Sequence, residues 1–211
     1  MNGNLVYVVG LALIIPAYAG DLSVEFEKFE SPEGKFSVSV PHSGDYTNPT
    51  GWERTDSFPY KIDDTVNGIM LEGPANKDRA KVKIAVLYYA GKGKIKGADH
   101  YINRVLSDPT RLDFDKKTEV TDLAVAGKMA KTFTFTRFEL INLPFEPSPM
   151  KPGIVYEIAP PSKQVTMIAR YIVIPAAPGF YSFMYEASQD LYEEYTPVFD
   201  VVVKSFECQQ K

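Results

Sequence analysis

Few residues of this 211-residue chain are suited to nucleophilic catalysis, since it holds only two histidines. A serine nucleophile needs a histidine base within hydrogen-bond reach, and that histidine needs an acid to orient it. His42 stands next to Ser43 and close to Asp45, but neighbours in sequence rarely form such a triad. No G-x-S-x-G nucleophile elbow occurs in the sequence. We therefore predict a solvated loop histidine at position 42 and no catalytic residues.

The sequence also offers little for a metal or a cofactor. Zinc sites take three or four Cys, His or acidic ligands, and the chain has one cysteine and two histidines. The acidic pairs Asp63–Asp64 and Glu193–Glu194 have carboxylates for a hard cation, but neither has the spacing of an EF-hand loop. We expect both pairs to be solvated, with no metal and no cofactor. A carboxylate-dependent hydrolase that uses Asp63 and Asp64 is kept as an alternative.

Glycine and lysine alternate in residues 91–97 (GKGKIKG), which follow a predicted strand and precede a predicted helix. The segment differs from a dinucleotide-binding fingerprint because its third glycine comes one residue late and the surrounding sheet is predicted to be antiparallel. Lys92, Lys94 and Lys96 are instead candidate binding residues for an anionic contact. The alternative is that the loop is solvated and that Lys81 and Lys83 form the polar face of a strand.

Charge is distributed unevenly along the chain. Residues 77–104 contain eight basic and two acidic residues, a local charge of +6, so the remainder carries −10 against a net charge of −4. Dedicated nucleic-acid-binding domains are strongly basic overall, so we expect no nucleic-acid partner. A local basic surface still suits an acidic envelope protein or an anionic envelope polymer.

Aromatic residues in irregular stretches are the second sign of a binding surface. Trp52 stands in a long loop, and Phe145 in the proline-rich residues 143–152 (LPFEPSPMKP). Exposed apolar side chains on an extended proline segment can dock a partner. For Trp52, the alternative is that it caps the sheet.

The first 19 residues have the layout of a secretory signal peptide. An apolar run at residues 5–15 (LVYVVGLALII) is followed by Ala17-Tyr18-Ala19, with small residues where signal peptidase requires them. A membrane-spanning helix needs about 20 apolar residues, more than this run offers. We predict cleavage after Ala19 and a secreted or periplasmic chain without a membrane span; a buried amino-terminal strand or an uncleaved anchor is the alternative. The only cysteine, Cys208, cannot form an intramolecular disulfide, and we expect a frayed terminal thiol there.

Hydrophobic periodicity predicts the elements that position these residues. Strands are indicated by residues 36–40, 81–89, 131–136, 165–174 and 180–185. Apolar stripes at helical spacing predict helices over residues 98–106 and about 188–206. Pro197 must either kink the second helix or restart it. The order of elements predicts one α+β domain over residues 20–211, with a largely antiparallel sheet, helices packed on it and a proline-rich insertion at 143–152.

Three stretches resemble the PsbP-like/Mog1 superfamily and its bacterial secreted relatives. They are residues 29–41 (FESPEGKFSVSVP), 119–133 (EVTDLAVAGKMAKTF) and 180–206 (FYSFMYEASQDLYEEYTPVFDVVVKSF). The resemblance implies a single-domain α/β/α sandwich around an antiparallel sheet. It also implies an accessory, binding or assembly protein without a shared catalytic centre. Residues 143–152 depart from the family pattern, and no functional residue of the family matches position by position.

The function favoured by these observations is a secreted or periplasmic, non-enzymatic accessory or binding protein of the cell envelope. Its partner is expected to be an envelope protein or an anionic envelope polymer. Besides the hydrolase, a carrier of a small apolar ligand is an alternative, because the chain has 27 aromatic residues. Such a carrier needs an enclosed apolar cavity between sheet and helix.

Overall fold

The computed structural model describes residues 24–44, 51–55, 65–113, 118–144 and 160–208. In this part of the chain the strands are β1 (Phe26–Glu30), β2 (Phe36–Pro41), β3 (Glu53–Arg54), β4 (Val66–Ala75), β5 (Lys81–Tyr89), β6 (Thr121–Val125), β7 (Lys128–Asn142), β8 (Ser162–Pro175), β9 (Phe180–Ser188) and β10 (Glu207–Cys208). The α-helices are α1 (Ala98–Leu106) and α2 (Tyr192–Lys204), and a short 3-10 helix covers Pro32–Gly34.

The strands form two antiparallel sheets. The larger has seven strands in the order β3-β4-β5-β9-β8-β7-β6, and the smaller has the order β1-β2-β10. Each pairing within both sheets is antiparallel. The sheet is therefore built from hairpins and meanders, which excludes the parallel βαβ unit that a dinucleotide-binding crossover requires.

The helices pack on opposite faces of the seven-stranded sheet. The cluster beneath α1 includes Tyr101, Ile102 and Val105 of the helix with Phe133, Phe135, Tyr171 and Phe180 of the sheet. The other face is covered by α2 and by β2, in a cluster that includes Phe36, Val38, Val40, Phe199, Val202, Ile172 and Phe183. The alternation of side chains along each strand supplies both clusters. The predicted α+β fold, with helices packed on a largely antiparallel sheet, is confirmed.

The two helices follow their predictions to different degrees. Helix α1 has the predicted bounds. Helix α2 begins later than predicted because Ser188 still belongs to β9, where it pairs with Met167 of β8. The helix is one element that contains Pro197, so the proposed restart at that proline is wrong. Neither helix, nor any other in the described ranges, is long and apolar enough to cross a membrane.

Strands β1, β3, β4, β6 and β10 are not among those that hydrophobic periodicity predicts, and two of them, β4 and β10, show why. Strand β4 contains Gly68, Gly73 and Pro74, which interrupt the apolar alternation. Gly73 is required by packing, because a Cβ there would lie 2.7 Å from the ring of Trp52. Strand β10 pairs with β2 and brings Cys208 Sγ to 3.1 Å from the hydroxyl of Tyr181. The expectation of a frayed thiol is therefore wrong.

Candidate functional site

The segment from residue 91 to residue 97, here called the basic loop, connects β5 with α1. Its exposure alternates residue by residue: Lys92, Lys94 and Lys96 are exposed, whereas the glycines and the isoleucine between them are half-buried. The structure thus places the three predicted binding lysines on the solvent side of one short loop. The loop stands at the end of the sheet where β5 finishes and β9 begins.

The inward residues of the basic loop are packed against the fold. Ile95 packs against the apolar cluster beneath α1. A Cβ at Gly93 would lie 2.8 Å from the hydroxyl of Thr65, so the backbone passes that side chain closely. Gly91 has φ +69° and faces Gly179 in the turn between β8 and β9. These contacts fix the loop backbone and leave the lysines as its outer surface.

Two other lysines of the basic segment have acidic partners. Lys81 Nζ lies 2.6 Å from Glu72 Oε2, and this hydrogen bond outweighs burial and raises the pKa of Lys81. Lys83 Nζ lies 2.7 Å from Glu139. Within the described ranges, no ion pair of 4.0 Å or less involves a lysine of the basic loop. Lys81 and Lys83 therefore belong to the polar face of a strand, whereas the charge of the loop faces solvent.

The two aromatic binding candidates are not part of this loop. Trp52 is 3% exposed. It packs edge-on against Tyr195 of α2, with ring centroids 6.2 Å apart. Trp52 thus occupies the core, as the capping alternative predicts, and presents no exposed ring to a partner. Phe145 lies outside the described residues.

His42 belongs to a polar cluster that the sequence did not reveal. Glu27 Oε2 lies 3.0 Å from His42 Nδ1, while Oε1 accepts hydrogen bonds from Ser43 Oγ (3.2 Å) and Arg54 Nη2 (2.9 Å). The serine hydroxyl therefore donates to Glu27 instead of the histidine, which is not the arrangement of a catalytic triad. Burial alone would raise the pKa of Glu27, but the hydrogen bonds from Arg54, His42 and Ser43 outweigh it and lower the pKa.

A second charged cluster was also missed, and we call it the ion-pair network: Lys83, Arg137, Glu139 and Glu186. Glu186 is 1% exposed and lies on the same face of β9 as Met184, which belongs to the cluster beneath α1. Arg137 donates to both of its oxygens, with Nη2 2.8 Å from Oε1, and Lys83 Nζ lies 3.4 Å from Oε1. Burial would lower the pKa of Arg137, but Glu186 outweighs it and raises the pKa. The sign of this network in the sequence was that Glu186 is the single acidic residue in the largely apolar segment that forms β9.

A polar cleft lies at the opposite end of the sheet from the basic loop. It has a volume of about 390 Å³ and is formed by the β4–β5 turn, the start of β8 and the β9–α2 junction. The cleft is open to solvent and lined mainly by polar side chains. It therefore differs from the enclosed apolar cavity that a carrier of an apolar ligand needs.

The residues of the hydrolase alternative, Asp63 and Asp64, lie outside the described residues, as does Asp45. Among the residues that the structure does describe, no group of three or more His, Cys, Asp or Glu side chains is arranged to hold a metal ion.

No family model and no curated protein matches the chain, but solved structures similar to it exist. Cyanobacterial PsbP (CyanoP) from Synechocystis sp. PCC 6803 has a TM-score of 0.44 and 12% identity over 92% of this chain and 98% of its own. LpqN of Mycobacterium tuberculosis, described as involved in cell envelope biogenesis, has a TM-score of 0.40 and 12% identity over 88% and 91%. A Bacteroides thetaiotaomicron protein has a TM-score of 0.38 and 10% identity over 87% of this chain and 48% of its own, so this chain spans about half of that protein. A PsbP protein is thus among the structures that this chain is similar to, as the resemblance in its sequence predicted.

Proposed function

We propose that the protein is a non-enzymatic accessory or binding protein of the cell envelope, which contacts an anionic envelope polymer through the basic loop. One observation carries the proposal: three exposed lysines alternate with inward-packed residues, and the described residues provide them with no ion pair. The two lysines of strand β5, Lys81 and Lys83, are paired with carboxylates. The basic loop therefore concentrates three charges without an ion pair in the described structure over five consecutive residues of the chain.

The physical argument for an anionic ligand rests on local charge and preorganisation. Like charges held close together on a surface raise the local positive potential and attract polyanions, an effect that salt screens over about 8–10 Å. A loop whose backbone is already fixed loses little conformational entropy on binding. Lysine is a point charge with rotatable donors, which suits repeated phosphate or carboxylate groups along a flexible polymer.

A polymer is favoured over a protein partner by what surrounds the lysines. The core of a protein interface is usually anchored by aromatic residues and arginine. In the described structure Trp52 is buried, and the apolar side chain of the loop, Ile95, packs inward. The outer surface of the loop is therefore made of lysine side chains and offers no apolar anchor.

The envelope location is supported by the amino-terminal sequence. The apolar run before Ala19 has the layout of an export signal. We expect the mature protein to be recovered from the periplasmic or extracellular fraction with Gly20 as its first residue. Recovery of an uncleaved amino terminus in the membrane fraction would contradict this location.

Binding is tested with two defined polyanions, polyphosphate and polyglutamate, over a series of salt concentrations. The variant combines Lys92→Ser, Lys94→Ser and Lys96→Ser. The control combines Lys28→Ser, Arg79→Ser and Lys204→Ser, which removes the same charge from other exposed positions. We expect the loop variant to lose about tenfold or more in affinity at low salt and the control to lose less than about threefold.

Equal losses in the two variants would show that net charge alone drives binding and would overturn the assignment to the loop. If the wild-type protein binds neither polymer but is crosslinked in intact cells to an acidic envelope protein through the loop, the polymer proposal is wrong and the partner is a protein. Matching circular dichroism spectra and thermal midpoints show that both variants are folded.

A further inference from the structure

The polar cleft lies far along the sheet from the basic loop, and its lining carries charges of both signs. Lys77 belongs to the β4–β5 turn and Asp190 to the β9–α2 junction. The ion pairs of the described residues include none between these two side chains. A third charge in the lining, Asp78, is already paired with Lys163, whose Nζ lies 2.6 Å from its Oδ1. The cleft thus presents one cation and one anion to a ligand.

The carboxylate of Asp190 is held in place by its neighbours. Asn76 Nδ2 donates to Oδ1 of Asp190 at 3.1 Å and to Oδ2 at 3.4 Å. Asn76 is itself fixed, because its Oδ1 accepts hydrogen bonds from the backbone N–H groups of Asp78 (2.9 Å) and Ala80 (3.0 Å). The neighbouring Ser188, the hydrogen bonds from Asn76 and the charge of Lys77 lower the pKa of Asp190, which keeps it ionised.

The remaining lining suits peptide groups. Gln164 and Gln189 are exposed and carry amides that both donate and accept hydrogen bonds. The volume of about 390 Å³ falls in the range of small-ligand sites. A ligand with one ammonium group, one carboxylate and peptide groups between them would match each of these features.

We propose that the polar cleft binds a zwitterionic ligand of the short-peptide class, with its ammonium group at Asp190 and its carboxylate at Lys77. The site is independent of the basic loop, because the two lie at opposite ends of β5. Its ligand is small and carries both charges, whereas the loop suits a polyanion.

The proposal is tested by NMR titration of the purified protein with trialanine and with N-acetyl-trialanine amide, which has the same peptide groups but no terminal charges. We expect trialanine to shift the backbone amide signals of residues 76–78 and 188–190. We expect the capped peptide to bind about fivefold or more weakly, the size of the effect for an exposed ion pair. Equal affinity for the two peptides, or no shift at these residues with about 20 mM trialanine, overturns the proposal.

Two variants test whether Asp190 and Lys77 are the residues that bind the charged ends of the peptide. Asp190→Asn and Lys77→Gln should each weaken trialanine binding by about threefold to fivefold and leave the affinity for the capped peptide unchanged. Asp122→Asn and Lys28→Gln change exposed charges elsewhere in the described structure and serve as matched controls. If the controls weaken binding as much as the cleft variants, the charges of the cleft do not select the ligand and the proposal is wrong. Lys92→Ser should have no effect, which separates this site from the basic loop.

Discussion

The ion-pair network and the basic loop use lysines of the same basic segment in opposite ways. Lys83 lies on β5 directly opposite Glu186 of β9, and its side chain is 15% exposed. Lys94, a little further along the chain, is exposed in the loop that follows β5. A lysine on a strand has a cross-strand neighbour that can neutralise it, whereas a lysine on a loop has none. The position of a lysine relative to the end of its strand therefore decides whether its charge stabilises the fold or faces solvent.

The largest expected effect is in the ion-pair network. Glu186→Gln leaves Arg137 and Lys83 without their shared buried carboxylate, and we expect a loss of about 3–5 kcal/mol in the free energy of unfolding. Urea denaturation followed by circular dichroism measures it. Glu194→Gln, on the exposed face of α2, is the control and should change stability by less than about 0.5 kcal/mol. A loss below about 1 kcal/mol for Glu186→Gln would show that the network is not a structural element and would break the contrast with the basic loop.

A matched pair of substitutions compares the two regions directly. Lys83→Met removes a largely buried cation that lies near Glu139 and Glu186. Since each acid still has Arg137 nearby, we expect the free energy of unfolding to fall by only about 2 kcal/mol. Lys94→Met is the same change in the basic loop and should stay within about 0.5 kcal/mol. Thermal and urea unfolding of the two variants give both values. Similar losses at the two positions would mean that the loop lysine has a structural partner after all.

The loss of stability on removing the charge of Glu27 should lie between those of Glu186→Gln and Lys94→Met, because the side chain of Glu27 is 27% exposed. Its pKa is lower in the folded protein than the ordinary value of 4.5. The ionised group therefore stabilises the fold above that value, and this contribution is lost as the pH falls through the lower, folded pKa. We expect Glu27→Gln to cost about 1 kcal/mol at about pH 6, and the difference from wild type to shrink at about pH 3. A difference that does not change with pH would exclude the ionised carboxylate as its cause.

The sequence predicted the elements whose patterning is local and missed the features that depend on pairing between distant segments. Helix α1 and the start of strand β5 carry clear periodicity, strand β8 carries an apolar run, and their positions were found. Strand β4 was not found, because its glycines interrupt the apolar pattern. Gly73 is needed there to leave room for the ring of Trp52, and this contact between distant residues is not visible in the local sequence. The basic loop was found because glycine and lysine alternate over consecutive residues. The ion-pair network was not, because Glu186 meets Arg137 only after β7, β8 and β9 have paired.

The smallest expected effect on stability belongs to the variant that should have the largest effect on polyanion binding. Replacement of all three lysines of the basic loop by serine removes charges without an ion pair in the described structure, so the free energy of unfolding should change by less than about 0.5 kcal/mol. The change should be favourable at low salt, because the lysines repel one another, and should fade as salt screens that repulsion. Urea unfolding at low and high salt checks both. A loss above about 1 kcal/mol would instead show that the lysines support the fold, and the weaker binding of this variant would then no longer identify a contact surface.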